Sequence, residues 1–222
     1  MPQGGTDPGA AQEDGRRTRR HAGGFFKKTD LEPKSAEARG GKRTVSFVDA
    51  SHFVLASFLG WVWCFVRLHV RAASGRQRYN VLGALNAVTH ELVTEINTTS
   101  VTATTVCALL RTIASRGVSM PITSVLDNAR YQKCVLVTGV AKALGIELLY
   151  LPSYSPDLNR IERLWKFVKK EVLNSRHHQD FKRFQDAIDG CLADLPTKHR
   201  DKLATLMTHN FQTWDDVSLL NA

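Results

Sequence analysis

No two cysteines in this chain are spaced to close a metal knuckle. The four, Cys64, Cys107, Cys134 and Cys191, stand far apart with no C-x-x-C among them. That spacing excludes zinc ribbons and a dense disulfide framework, and sets the expectation of reduced thiols in a cytosolic compartment. An apolar run long enough to cross a bilayer is also missing. The longest, Phe53 to Val66, is 14 residues and stops at Arg67, whereas a spanning helix needs about 20. It also lies far from the N-terminus, where a signal peptide would sit, so no membrane segment is expected. There is no internal repeat. Residues 1–24 hold almost nothing apolar and read as a disordered basic tail, although Arg16 to Arg20 (RRTRR) also suits a nucleic-acid arm. Acids are in deficit throughout: 21 Asp and Glu against 30 Lys and Arg give a net charge of +9. Such a balance points to a polyanionic partner, nucleic acid first. What is present is ordinary. A chain of 222 residues that is 43% hydrophobic can build one sizeable core.

Residues 25–43 read as a linker or a short helix around Ser35 to Arg39, closed by Gly40 and Gly41. Thr44 to Ala50, TVSFVDA, is β-branched and aromatic, which predicts a strand with Asp49 near its end. An acid there is either a strand-end cap or a functional group. A stretch with Trp61 and Trp63 follows, then Arg67, Arg71, Arg76 and Arg78 with no acid between them. Two readings stay open: a loop that grips DNA, or packed tryptophans beside solvated arginines. Two strands joined by a tight turn are expected over Tyr79 to Val88 and Glu91 to Thr99. A helix from Val101 to Arg116 presents Val106, Leu109, Leu110 and Ile113 on one face, and Gly117 stops it. Pro121 opens a short buried strand with Asp127 at its end. A helix over Tyr131 to Leu144 and a strand over Ile146 to Leu151 come next. A turn containing Pro152, Ser153, Ser155, Pro156 and Asp157 then leads into a helix carrying Glu162 in its first turn. Phe181, Phe184, Ile188 and Leu192 mark a further amphipathic helix over Asp180 to Leu195, broken by Pro196. Lys202 to Met207 and Phe211 to Trp214 suggest a last helix and a closing segment.

This order, β, loop, ββ, α, β, α, β, α, α, predicts an α/β domain whose mixed sheet is flanked by helices on both faces. The ribonuclease H-like fold has that order. If its first and fourth strands are neighbours, Asp49 and Asp127 meet at the sheet edge, where open α/β sheets place their sites. Two carboxylates so close repel unless cations lie between them, and hard oxygen ligands select Mg²⁺ or Mn²⁺. Glu162 supplies a third acid, and three acids suffice for two ions. Its simpler role is a capping box with Asn159 as N-cap. Asp157 and Glu171 are rival third acids, one inside a turn and the other more than two helical turns further on.

The blocks VDASHF, VLDNARYQ and LPSYSPDLNRIERLWKFVKK resemble the three acidic blocks of DDE transposases of the mariner superfamily, in the bacterial insertion-sequence branch. The 34 residues between Asp127 and Glu162 match that group's spacing. The resemblance runs from about residue 25 to about residue 215. It implies a ribonuclease H-like DDE catalytic domain over residues 44–215, followed by a tail over 216–222. The expected activity is metal-dependent cleavage at transposon ends and transfer of the freed 3′ ends into target DNA. Asp49, Asp127 and Glu162 become the catalytic ligands of two Mg²⁺ or Mn²⁺ ions. Arg67, Arg71, Arg76, Arg78, Arg130, Lys166, Lys169 and Lys170 are the candidate DNA contacts, with His52 and Asn128 in support. The implied partners are transposon-end and target DNA, a second copy of the chain, and a separate N-terminal helix-turn-helix half. The implied location is DNA-associated in a bacterial cytoplasm. Two features depart from the pattern: no helix-turn-helix region precedes residue 25, and Arg160 stands where many relatives have proline. Loss of a proline that only preorganises a helix start should cost little. The missing recognition region sustains an alternative, a truncated, non-transposing DNA-binding remnant. An RNA-strand nuclease of the same fold fits the third block less well.

Overall fold

The structure is a computed structural model that describes residues 24–55, 77–152, 158–174, 176 and 178–207. Its centre is strand β1 (Thr44–Val54), which has a different kind of neighbour on each side. β2 (Arg78–Asn86) runs antiparallel along its whole length, and β3 (Leu92–Asn97) runs antiparallel to β2. On the other side β4 (Ile122–Leu126) and then β5 (Ile146–Tyr150) run parallel to it. The sheet order is β3-β2-β1-β4-β5, the one expected of a ribonuclease H-like domain. β2 and β3 are joined by a turn in which the Asn86 carboxamide oxygen accepts from the Val88 and Thr89 amides. The parallel strands require crossovers, and helices supply them.

Helices cover both faces of the sheet. On one lie α2 (Ala103–Ala114) and α3 (Val135–Ala143); on the other lie α4 (Ile161–Leu173), α5 (Phe181–Ala193) and α6 (Arg200–Leu206). Successive residues of a strand point to opposite faces, and β1 shows it. Phe47 and Phe53 pack with Ile161, Leu164, Trp165 and Val168 of α4. Val48 packs with Val106, Leu109 and Leu110 of α2 and with Val137 of α3. Thr102 starts α2 through a capping box with Thr105. Tyr79 of β2 donates its hydroxyl to both carboxylate oxygens of Asp189 at 2.8 and 2.9 Å, which pins α5 to the sheet.

Ahead of β1, a π-helical turn (Lys27–Leu31) runs into helix α1 (Glu32–Arg39). The helix is longer than the expected Ser35 to Arg39, because Pro33 suits a helix start. Gly41 ends it at φ +67°, a conformation that costs glycine least. Arg43 then ties α1 to the sheet edge, bonding Glu37 at 2.6 Å, Thr123 at 2.7 Å and Glu147 at 2.6 Å.

Among the boundaries that differ from those expected, three bear on the acid edge. β1 runs on to Val54 instead of stopping at Ala50, because β2 keeps pairing with it up to Val54 opposite Arg78. α3 begins at Val135, not Tyr131, since the Gln132 and Lys133 amides close a turn on the Ala129 carbonyl and Cys134 is extended. α4 begins one residue after Arg160. The basic tail, the Trp61 and Trp63 segment with Arg67, Arg71 and Arg76, Asp157 of the Pro-flanked turn, and the Phe211 to Trp214 segment lie outside the described residues. No described helix is long and apolar enough to cross a membrane.

Candidate functional site

Parallel pairing between β1 and β4 spans Thr44–Val48 on one strand and Ile122–Leu126 on the other. Asp49 and Asp127 are the next residue on each. The two acids therefore sit side by side where a parallel ladder ends, although Asp49 is mid-strand and only Asp127 follows a strand's last residue. Asp49 shares the face of Phe47 and Phe53, the one covered by α4, and Glu162 enters from the first turn of that helix. One β2 residue makes room for this. Gly83 lies opposite Asp49, and a Cβ there would stand 2.7 Å from Trp165 Cζ2 and 3.2 Å from Ile161 Cδ1. Only a strand position without a side chain lets α4 come this close.

Electrostatics join the three acids. Burial pushes Asp49 up to about 7, the charge of Asp127 adds to this, and Glu162 contributes in the same direction. The Ala50 amide and Lys169 act the other way. Asp127 is also raised, by burial, while a hydrogen bond from Asn159 favours its charged form. The phenol of Tyr131 is raised by burial and then by the fields of Asp49 and Asp127.

Asn159 does not cap α4. The N-cap is Arg160 and no side chain caps it, so the capping box that rivalled a ligand role for Glu162 is not formed. Instead the Asn159 carboxamide, 1% exposed, donates to Asp127 Oδ1 and to the Val48 carbonyl, both at 3.3 Å. It clamps the middle of β1 and the end of β4 to the start of α4. Its Oδ1 is buried without a hydrogen-bond partner. Sequence reading treated this asparagine only as a cap; the signal was its place immediately ahead of the helix bearing the acid.

Arg160, noted in the sequence only as standing where many relatives have proline, is buried. It is 3% exposed, and its guanidinium lies 5.3 Å from the centre of the Phe47 ring. Burial, together with Arg163 and Arg39, lowers its pKa to about 10.

The remaining candidates divide by position. Asn128 and Arg130 are exposed just past Asp127, at the acid edge. Lys166, Lys169 and Lys170 are exposed on α4, with Lys169 Nζ 5.8 Å from the Phe53 ring centre. Arg78 is exposed at the start of β2. His52 shares the face of Val48 and Ala50, opposite to Asp49, and its Nδ1 pairs with Asn80 Oδ1 at 2.7 Å. It is not brought to the acids. Trp165, 4% exposed, is core.

Among the described residues, no three acidic, histidine or cysteine groups are gathered tightly enough to form a ready metal cage. The donor chemistry nonetheless suits a hard divalent cation. It consists of carboxylate oxygens alone, and the repulsion raising Asp49 is what a cation beside it relieves.

Comparison with known proteins is consistent with this geometry. A family profile described as DDE superfamily endonuclease matches residues 44–185. No curated protein matches the sequence. Among solved structures, the catalytic domain of Mos1 mariner transposase superposes with a TM-score of 0.54 at 12% identity, covering 94% of this chain and 98% of that one. The Mos1 strand transfer complex gives 0.56 at 13%, covering 86% and 61%. The Mos1 mariner paired-end complex with Mn gives 0.57 at 13%, covering 85% and 59%. The chain thus spans about three-fifths of the Mos1 chains in those complexes. At these identities the likeness shows the fold, a ribonuclease H-like sheet with its helices.

Proposed function

The chain belongs to the DDE superfamily endonucleases, and from that membership we propose that residues 44–215 form the catalytic domain of a transposase in the bacterial insertion-sequence branch of the mariner superfamily. Its reaction is metal-dependent cleavage of DNA at transposon ends and strand transfer into target DNA. The observation that carries the reading is that Asp49 and Asp127 follow the end of one parallel ladder, with Glu162 on α4 close enough for its charge to act on Asp49.

Asp49, Asp127 and Glu162 are the residues that would hold two Mg²⁺ or Mn²⁺ ions. Bound there, such ions supply Lewis acidity, lowering the pKa of a water or 3′-hydroxyl and steadying the leaving oxygen. The protein's own part is positioning. Asn159 ties Asp127 to the middle of β1. Gly83 and Trp165 set the distance of α4 from the sheet, and with it that of Glu162. Lys166, Lys169, Lys170, Arg130 and Arg78 offer exposed cations to the phosphate backbone, which positions DNA without reading its sequence. Arg67, Arg71 and Arg76, outside the described residues, remain further candidate contacts to that backbone. DNA-end recognition belongs to a separate helix-turn-helix half, and two copies work together on paired ends in a bacterial cytoplasm.

The test is strand cleavage and joining by the Asp49→Asn, Asp127→Asn and Glu162→Gln proteins in Mg²⁺ or Mn²⁺. Each should lose activity while keeping its affinity for DNA in EDTA. Undiminished cleavage by the Asp127→Asn protein refutes the assignment.

A further inference from the structure

On the sheet face turned away from Asp49, β1 ends in a polar row. His52, Asn80 and Asn97 stand opposite one another on β1, β2 and β3. Asn80, 1% exposed, donates its Nδ2 to the Thr99 carbonyl at 3.2 Å and to Asn97 Oδ1 at 3.0 Å. A backbone carbonyl only accepts, so the Asn80 amide can face one way alone, with its Oδ1 toward His52. Asn97 Oδ1 is fixed likewise by the Thr99 amide, which donates to it at 3.2 Å. The 2.7 Å contact between His52 Nδ1 and Asn80 Oδ1 therefore has the imidazole donating from Nδ1. Nε2 is left bare in the neutral ring, on a side chain that is exposed.

A histidine held this way has two states with opposite preferences. Neutral, its outer nitrogen is an acceptor and offers nothing to a phosphate oxygen. Protonated, it presents one charged N–H donor at a fixed angle, the stronger kind of hydrogen bond to phosphate. Its neighbours favour an anion. Arg78 occupies the diagonal position on the same face, opposite Val54, about 7–8 Å away by strand geometry. Arg78 is exposed and borders an open cavity of about 340 Å³. Of the other titratable groups that β2, β3 and α2 bring to this face, Arg111 is cationic and Cys107 is buried. Glu95 is the one acid among them, and it accepts from the Thr112 hydroxyl at 2.7 Å. Past β4, Asp127 is bound by Asn159 from α4's side, and the same loop adds Arg130, Lys133 and the phenol of Tyr131.

We propose that His52, together with Arg78, holds a backbone phosphate of DNA, and that it does so as the imidazolium, taking up a proton from solvent on Nε2 when DNA binds. The proposal rests on the reading of the chain as a DNA-processing enzyme and adds a proton-linked contact to it. Three residues of β1, about 10 Å of strand, separate His52 from Asp49. The phosphate it holds is therefore not the one at the acids but one further along the DNA. The amides of Asn80 and Asn97 act through His52, fixing which nitrogen faces outward.

The test uses the full chain in EDTA with a short fluorescent DNA duplex, so that binding is read without cleavage. At about pH 6 the slope of log affinity against log salt should be smaller by about one in His52→Gln than in the parent, and at about pH 8 the two should coincide. Glutamine keeps a donor for Asn80 and His52 is exposed, so the variant should fold as the parent does. Arg78→Gln should lose about one from the slope at both pH values. Asp49 titrates in the same range, but it does so in the parent and in His52→Gln alike, and their difference isolates His52. Nitrogen NMR of the unaltered protein, with the His52 ring identified by its loss in His52→Gln, should show the Nδ1–H tautomer without DNA and a doubly protonated ring once duplex is added at the same neutral pH. Equal slopes at both pH values, a difference that ignores pH, or an Nε2–H tautomer overturns the proposal. An unchanged slope in Arg78→Gln overturns the pairing with Arg78. Those failures alongside normal metal-dependent cleavage leave the acid triad standing, whereas a parent chain that does not bind the duplex at all overturns the DNA reading and this contact with it.

Discussion

Replacing Gly83 by alanine tests how closely the sheet and α4 are matched. The added methyl would lie 2.7 and 2.9 Å from Trp165 Cζ2 and Cη2 and 3.2 Å from Ile161 Cδ1. Contacts below 3.0 Å cannot stand, and the indole cannot yield easily, because it is 4% exposed and backed by core side chains. Overpacking of this kind costs about 1–3 kcal/mol. Against it stands the entropic gain of alanine over glycine in a strand, about 0.5–1 kcal/mol. The clash wins, and the net loss is on the order of 0.5–2 kcal/mol. For a chain of this size that lowers the melting temperature by roughly 1–8 °C. Relief has to come from α4 moving outward, and Glu162 lies one turn from Trp165 on that helix. Cleavage should therefore fall at temperatures where the variant is still fully folded. Thermal melts and cleavage rates should be read together with the Gly83→Ala/Trp165→Phe double variant, whose smaller ring should restore much of both. A Gly83→Ala protein as stable and as active as the parent, or one that Trp165→Phe does not rescue, refutes the argument.

Three further expectations follow from the same geometry. Asp49 is raised from 3.8 to about 7, so the folded metal-free protein keeps a proton that the unfolded chain gives up. Its stability should fall as pH rises from about 4 to about 7; denaturant titrations should show this slope shallower in Asp49→Asn, and Mg²⁺ should reduce the loss near pH 7. Asn159→Ala removes a hydrogen bond to a carboxylate and leaves the Val48 carbonyl without that donor, a loss of about 1.5–3 kcal/mol. It should also weaken Mn²⁺ affinity measured by calorimetry, and an unchanged affinity would leave Asn159 with a purely structural role. Tyr79→Phe deletes both bonds to Asp189 and should cost about 1–2 kcal/mol in urea unfolding without altering the Mn²⁺ affinity.

Much of this was legible in the sequence because strong local signals agreed with the fold. Ile122 to Leu126 reads as a buried strand and is one, with every residue buried. Val106, Leu109, Leu110 and Ile113 announce the face that α2 turns to the sheet. The acids at Asp49 and Asp127 could be paired in advance because the strand order makes β1 and β4 neighbours. What stayed hidden depended on partners distant in sequence. The extension of β1 to Val54 exists only because β2 keeps pairing with it, and nothing in SHFV says so. Asn159 has the residue type of a helix cap, and its engagement with Val48 and Asp127 is a tertiary fact. Gly83 looks like any weak point in a strand until Trp165 is laid over it. Arg160 reads only as a proline missing from a helix start, yet it is buried beside the Phe47 ring.

The two strands that carry the aspartates meet through a pairing that sets Thr44 beside Ile122. Contacts between segments so far apart close late in folding, because a long loop has to be ordered before they reward the chain. During synthesis Asp49 therefore emerges well before the strand that places Asp127, and Glu162 follows later still. Incomplete or locally unfolded forms hold three isolated, hydrated acids in place of one desolvated group. Assembly of the acid edge is thus tied to completion of the fold.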